Sequence, residues 1–326
     1  MCPPAAPSSP ASPCPTPTNR PSSIRSQWSR PPRTAPRPRR SLPRPCPARC
    51  RGLWRTPVSS RRSSSRRAPL GVVPSVLAAG ALAMVVLPLA GLLQRAPWSS
   101  LATDLRAHEA LAALRLSLET SLGALALSVV FGVPLAWVLA RRRFPGRSLV
   151  RALVTLPMVL PPVVGGIALL YAFGRRGFAG RILYDLTGWR LVFNTTGAIV
   201  AEAFVAMPFL IVTAEAAFRS MDRSAEEAAA TLGARPAYRF RRVTLPAVAP
   251  ALAAGAALTW ARALGEFGAT ITFAGNTAGK TQTAPLLVYL DIESGHDATA
   301  LALSLVLLGV SLAVLVGLRD RWVGNP

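Results

Sequence analysis

The chain has 326 residues, 51% of them hydrophobic and 16% charged, with a formal net charge of +23. It is too apolar for an ordinary soluble domain and contains long runs suited to lipid, so it reads as an all-α integral membrane protein. Residues 1–70 follow another rule: they hold 17 of the 31 prolines, 15 arginines, no Asp or Glu, and all four cysteines, Cys2, Cys14, Cys46 and Cys50. Such a stretch cannot bury enough apolar surface to offset its ordering entropy, and it is expected to be a disordered tail. Two readings of the tail stand: a basic arm lying on anionic headgroups, or, favoured, a start set too early in a GC-rich frame. The charged region is too long for the n-region of a signal peptide, and the cysteines match no zinc spacing.

From residue 71 to 326 the chain is expected to form one transmembrane domain. Six apolar stretches have about the length a spanning helix requires, at 72–93, 118–140, 149–173, 197–218, 246–272 and 299–318. Continuous spans argue for helices rather than a barrel. The arginines set the orientation. Arg61, Arg62, Arg66 and Arg67 precede the first span; Arg141, Arg142, Arg143, Arg147 and Arg151 fill the second connection; Arg219, Arg223, Arg235, Arg239, Arg241 and Arg242 fill the fourth. These loops lie on one side, which the positive-inside rule makes cytoplasmic, and Arg319 and Arg321 place the C-terminus there with the N-terminus. The third connection runs against this trend, because Arg175, Arg176, Arg181 and Arg190 fall on the outer side.

The spans carry their own irregularities. Pro157, Pro161 and Pro162, beside Gly165 and Gly166, remove backbone donors and can break the third span, as a hinge, a pore constriction or a fixed kink. Glu202 and Glu215 bracket the fourth span, where interfacial solvation accounts for both. In the fifth span Arg262 and Glu266 lie one helical turn apart and form the deepest charge pair, either lining a gate or fixing helix rotation as an internal salt bridge. Gly265 and Gly268 nearby are read first as packing residues that let another helix cross closely, with a part in the pathway as the alternative.

Between the fourth and fifth spans, residues 219–245 form a polar island facing the cytoplasm. Ser224-x-x-Glu227 reads as a capping box, Gly233 as a left-handed helix end, and Pro236 as the first turn of a second helix, giving an elbow. Ala225, Ala228, Ala229 and Ala230 leave its surface small and smooth, so that a partner can approach the backbone. Glu227 is expected to cap its own helix whether or not it also touches that partner.

The series Glu227-Ala228-Ala229, Gly233, then Val243, Leu245 and Pro246 after nine residues, resembles the cytoplasmic loop of ABC importer permeases. In that family the elbow is a coupling helix that docks on an ATPase subunit, which makes Glu227, Ala228, Ala229, Gly233, Leu245 and Pro246 the expected coupling residues. The segments Ala261-Arg262-Ala263-Leu264-Gly265-Glu266-Phe267-Gly268-Ala269-Thr270, Phe273-Ala274-Gly275-Asn276 and Thr281-Gln282-Thr283-Ala284-Pro285-Leu286 look like the molybdate permeases. Leu156-Pro157, Leu160 to Gly166 and Phe144-Pro145-Gly146-Arg147 are similar to the same group, and sulfate permeases share a related Gly-Glu-Phe-Gly core. The resemblance spans about residues 112–318.

It implies a multi-pass subunit of a bacterial plasma membrane that imports molybdate or tungstate, with sulfate or thiosulfate as the alternative. It also implies a second permease subunit, most simply an identical one, cytoplasmic ABC ATPases that hold ATP and magnesium, and an extracytoplasmic molybdate-binding protein. Lipid surrounds the chain, and nucleic acid has no part. The chain itself is expected to carry no cofactor, no metal and no catalytic residue: His108 and His296 are isolated, and no zinc motif, carboxylate pair or Ser-His arrangement is found. An ion-coupled secondary transporter would call for an internal duplication, which is not evident, and would leave the elbow without a purpose. Residues 274–281 resemble a phosphate-binding loop, but they follow a membrane span and face outward, which argues against that role. The fifth connection, with Asn276, Lys280, Gln282 and Asp291, is expected to be a solvated outer loop able to meet the binding protein.

Overall fold

The computed structural model describes residues 72–323, so the expectations for residues 1–70 lie outside the described residues. Among these residues the chain is helical without a strand. In order the helices are α1 (Val72–Gln94), α2 (Leu101–Arg106), α3 (His108–Arg141), α4 (Arg147–Val159), α5 (Pro162–Phe173), α6 (Phe178–Thr187) and α7 (Thr195–Ser220). There follow α8 (Ser224–Thr231), α9 (Pro236–Arg239), a π-helical turn at Phe240–Thr244, α10 (Leu245–Leu264), α11 (Gly268–Phe273), α12 (Ala284–Glu293) and α13 (Asp297–Val323).

Among the described residues five helical stretches are long and apolar enough to cross a membrane: Pro74–Gln94, His108–Arg141, Thr195–Ser220, Pro236–Leu264 and Asp297–Gly317. The bent pair α4 and α5 raises the number to six when its two halves are counted together as one broken span. Lipid tails are as apolar as Leu, so helix association inside the bilayer depends on close packing and polar contacts rather than on expelling water. The sequence supplies the close packing through small residues. One face of α3 buries Ala110, Ala113, Ser117, Ser121, Ala124, Ser128, Gly132 and Ala136, steps of three and four that keep them on one stripe, with Thr120 beside it. That stripe meets α7, whose buried face includes Ala198, Ala201, Ala203, Ala206 and Ala214. A Cβ on Gly123 would stand 2.9 Å from Ile199 Cδ1, so the Ile199 side chain would have to shift to admit it. By contrast α1, apolar all round, has every side chain from Pro74 to Gly91 exposed, as suits a helix facing lipid or another chain.

The expected span 149–173 is not continuous. Its two halves, α4 and α5, meet at 119°. Leu160 and Pro161 both precede prolines and adopt extended ψ values of 132° and 131°, because the following ring excludes the helical region. Pro162 then opens α5 at a position where its missing N–H costs nothing. The expected span 246–272 is also interrupted: α10 ends at Leu264, residues 265–267 are non-helical, and α11 restarts at Gly268. The two short helices pack together. A Cβ on Gly166 of α5 would lie 2.9 Å from the Ala269 Cα, and one on Gly268 would lie 2.9 Å from the Pro162 Cβ. The third connection contains the helix α6, and α2 precedes α3; the apolar-run reading anticipated neither.

Candidate coupling elbow and buried charge sites

The polar island folds as an elbow of α8, α9 and the π-helical turn. Its start differs from the expected capping box. Ser224 is the first helical residue, and the cap comes from Asp222, whose carboxylate accepts hydrogen bonds from the Ser224 amide at 3.0 Å and the Ser224 hydroxyl at 2.6 Å. These bonds, from the Ser224 side chain and then its backbone, hold the Asp222 carboxyl below the usual carboxylate range. The end follows expectation. Gly233 has φ +78°, the Ala234 amide reaches the Ala229 carbonyl at 3.0 Å, and the Gly233 amide reaches that of Ala230 at 3.0 Å, a Schellman turn. Pro236 opens α9 as expected.

Of the expected coupling residues, Glu227 and Ala228 are exposed, Ala229 is half-buried and Gly233 is exposed, all on the elbow. Leu245 and Pro246 lie beyond the π-helical turn, where they begin α10. Glu227 makes no side-chain hydrogen bond or ion pair among the described residues, so it does not cap its helix. The neighbouring Glu226 does the structural work: Arg141 Nη2 stands 3.1 Å from its Oε1, and the Thr244 hydroxyl donates to the same oxygen. Glu226 therefore joins the elbow to the end of α3 and the start of α10. Sequence reasoning missed it because Arg141 lies 85 positions away and no local motif marks the pair. Phe240 completes the seat, edge-on to Trp137 at 5.9 Å and tilted against Phe218 at 6.4 Å. On the outer face Leu232 is 87% exposed.

Arg262 and Glu266 do pair, with Nη1 to Oε2 at 2.8 Å. Glu266 also accepts from the Ala269 amide at 2.8 Å, so one carboxylate both balances Arg262 and caps the restarted helix α11. The Glu266 side chain is 1% exposed and that of Arg262 30%, which puts the open end of the pair on the arginine. Gly265 sits where α10 stops, and a Cβ there would meet only its own helix; Gly268 alone of the two is at a crossing.

Glu202 and Glu215 are buried rather than solvated at the ends of a span. Glu202 accepts from the Thr120 hydroxyl at 2.8 Å, across the α3–α7 crossing. Glu215 is gripped by Arg151, whose Nε lies 2.8 Å from Oε1, with Arg147 at 3.7 Å and Arg219 at 3.8 Å. This cluster pins the amphipathic α4 to α7. The fifth connection is also more ordered than a solvated loop: Gln282 and Asp291 are buried, while Lys280 is exposed and its carbonyl accepts from Thr195 at 2.9 Å. Residues 274–281 follow a helix, and the Thr281 hydroxyl already accepts from the Thr277 amide at 2.8 Å. That geometry is not a phosphate-binding loop after a strand.

A bundle of spanning helices, one of them broken, with an exposed elbow between the fourth and fifth spans, is the fold of an ABC transporter permease. The crystal structure of a bacterial alginate ABC transporter in complex with its alginate-bound periplasmic protein superposes with a TM-score of 0.57 at 19% identity, covering 76% of this chain and 94% of that one. The chain belongs to the family of binding-protein-dependent transport system inner membrane components, whose model matches residues 132–325, and is a multi-pass inner membrane protein. The molybdenum transport system permease protein ModB of Mycobacterium tuberculosis is 44% identical over 240 residues, 74% of this chain and 90% of that protein. ModB of Escherichia coli K12 is 40% identical over 213 residues, 65% and 93% of the two chains. The sulfate transport system permease protein CysT of Salmonella typhimurium is 37% identical over 241 residues, 72% and 86%.

Proposed function

We propose that this chain is the transmembrane permease subunit of an ATP-driven molybdate importer, with tungstate as a close analogue. The observation that carries this reading is the 40–44% identity to molybdenum permeases over most of both chains, above the 37% to a sulfate permease. A bare dianion cannot cross a hydrocarbon layer about 30 Å thick, so import needs a polar path that opens and closes.

Two copies of this chain, or this chain and a similar subunit, frame the path. An extracytoplasmic binding protein delivers the anion, and cytoplasmic ATPases, which hold ATP and magnesium, dock on the elbows through Glu227, Ala228, Ala229 and Gly233, with Leu245 and Pro246 anchoring the hinge. The elbow side is cytoplasmic and both termini lie there, in keeping with the arginines around α3, α4 and the elbow. Residues 71–326 act as the permease domain. Closure of the ATPases on ATP draws the elbows together and opens the path outward; release after hydrolysis restores the inward-facing state. The energy comes from differential binding of the ATPases to the two states, so the permease needs no hydrolytic residue of its own.

Arg262 and Glu266, at the α10–α11 break, serve as the gate. The half-exposed guanidinium can attract the anion, while the buried carboxylate keeps the cation from holding it too tightly. Gly268 lets α11 lie against α5, and Gly265 supplies the joint. The deciding experiment measures uptake of labelled molybdate and, separately, labelled sulfate at low external concentration in cells with and without the chain. Loss of molybdate uptake alone supports the reading, loss of sulfate uptake alone transfers it to the sulfate permeases, and loss of neither removes the oxyanion assignment.

A further inference from the structure

Beneath the elbow lies a cavity of about 350 Å³, bounded by the end of α3, the start of α8, and α9 with the π-helical turn. Its charged lining is lopsided. Arg141, Arg142, Arg223 and Arg239 face it together with Glu226 and Glu227. Arg141 and Glu226 neutralise one another. The guanidinium groups of Arg142, Arg223 and Arg239 have no ion-pair partner among the described residues, and Arg239 Nε is buried without a hydrogen bond. Against these three cations stands Glu227 alone, so the cavity carries an excess of two positive charges.

Arg239 is half-buried with its Nε cut off from any partner, while Arg142 and Arg223 are exposed at the cavity's rim; three like charges from three elements thus converge on one space, and an anion between them relieves both the orphaned donor and the mutual repulsion. Guanidinium forks match tetrahedral oxyanions in geometry as well as charge. The volume suits a small ion or a headgroup with its water, and is too small for a folded partner.

We propose that this cavity is a binding site for a tetrahedral, phosphate-class dianion, supplied either as a free oxyanion or as the phosphate of an anionic lipid headgroup. An anion held there bridges Arg142, at the end of α3, to Arg223 and Arg239 on the elbow, and so fixes the elbow's angle to the membrane part of the chain. The site is separate from the Arg262–Glu266 break, and it shares Glu227 with the proposed docking surface of the elbow.

Trp137 lines the same cavity and reports on it. The test is a titration of the purified full-length chain, in its native assembly, with inorganic phosphate against potassium chloride at matched ionic strength. A second arm uses micelles of phosphatidic acid against phosphatidylcholine. The expected result is a saturable change in tryptophan emission that is absent in Trp137→Phe and about tenfold weaker or more in affinity in Arg142→Gln/Arg239→Gln, with partial recovery in Arg142→Lys/Arg239→Lys, which restores the charge but not the fork. The single variant Arg223→Gln, on the exposed elbow, weakens the same transition and covers the case in which the double variant does not fold. A response to phosphate identifies a free oxyanion as the ligand; a response to phosphatidic acid alone identifies a lipid. No saturable response in either arm, or an unchanged transition in the glutamine variants, overturns the site. No transport step enters this measurement, so its failure is distinct from failure of the molybdate assignment.

Discussion

Arg262 Nη1 stands 2.8 Å from Glu266 Oε2, and the helix that carries the arginine stops between them. The pair therefore spans a joint rather than one turn of a continuous helix. Glu266→Gln retains an oxygen for the Ala269 amide but loses the charge, so α11 should keep its cap while the joint loses its ionic tie. Molybdate uptake is expected to fall by about tenfold or more with little change in melting temperature in detergent. Normal uptake by this variant would remove the gate from the mechanism. Glu266→Ala loses the acceptor for the Ala269 amide as well as the charge, and should destabilise the protein by about 1–2 kcal/mol more than Glu266→Gln does.

Gly166 and Gly268 let α5 and α11 touch at backbone distance. Gly166→Ala puts a Cβ 2.8 Å from the Ala269 carbonyl oxygen, and the two helices must separate. The cost should be about 1–3 kcal/mol, read as a lower melting temperature. Gly80→Ala, on α1 where nothing lies within 4 Å, is the control and should be neutral or slightly stabilising. Equal effects at the two sites would show that the α5–α11 contact does not limit stability.

How far the sequence disclosed this arrangement depended on the range of each signal. Pro161 and Pro162 act on their own neighbours, so the break between α4 and α5 could be read directly. The break at Gly265 was hidden, because Arg262 and Glu266 have the spacing of a helical salt bridge and the hydropathy stays high through Thr272. Glu202 and Glu215 looked interfacial for a similar reason. What buries them, Thr120 at 82 positions and Arg151 at 64 positions away, leaves no trace in local pattern. The elbow motif marked a segment that does fold as an exposed elbow, yet its alanines and Glu227 masked the neighbour, Glu226, that holds the elbow in place.

Asp222 gives the elbow a pH dependence. Its carboxyl is held below the ordinary range of an Asp by the Ser224 hydroxyl and amide, so the cap is fully present above that range and is lost as pH falls through the lower folded value. Amide exchange in α8 should accelerate on acidification below about pH 4, and Asp222→Ala should show the faster exchange at neutral pH with no further acid step. Exchange in the wild type that is flat across this range would dismiss the cap.

Gly233 and Leu232 separate the elbow's shape from its surface. At φ +78° any side chain other than glycine is strained, so Gly233→Ala should cost about 1–2 kcal/mol locally and disturb the Schellman turn that aims α8. Leu232, 87% exposed, contributes almost nothing to the fold of the isolated chain, and Leu232→Glu should leave its melting temperature unchanged. If the elbow docks on an ATPase, Leu232→Glu should nonetheless weaken co-purification of that subunit, because a charge enters an apolar contact without a partner. Gly233→Ala should behave differently, retaining some association while the ATP hydrolysis stimulated by the binding protein declines, since the helix is present but misaimed. Unchanged association in both variants would move the docking surface away from α8.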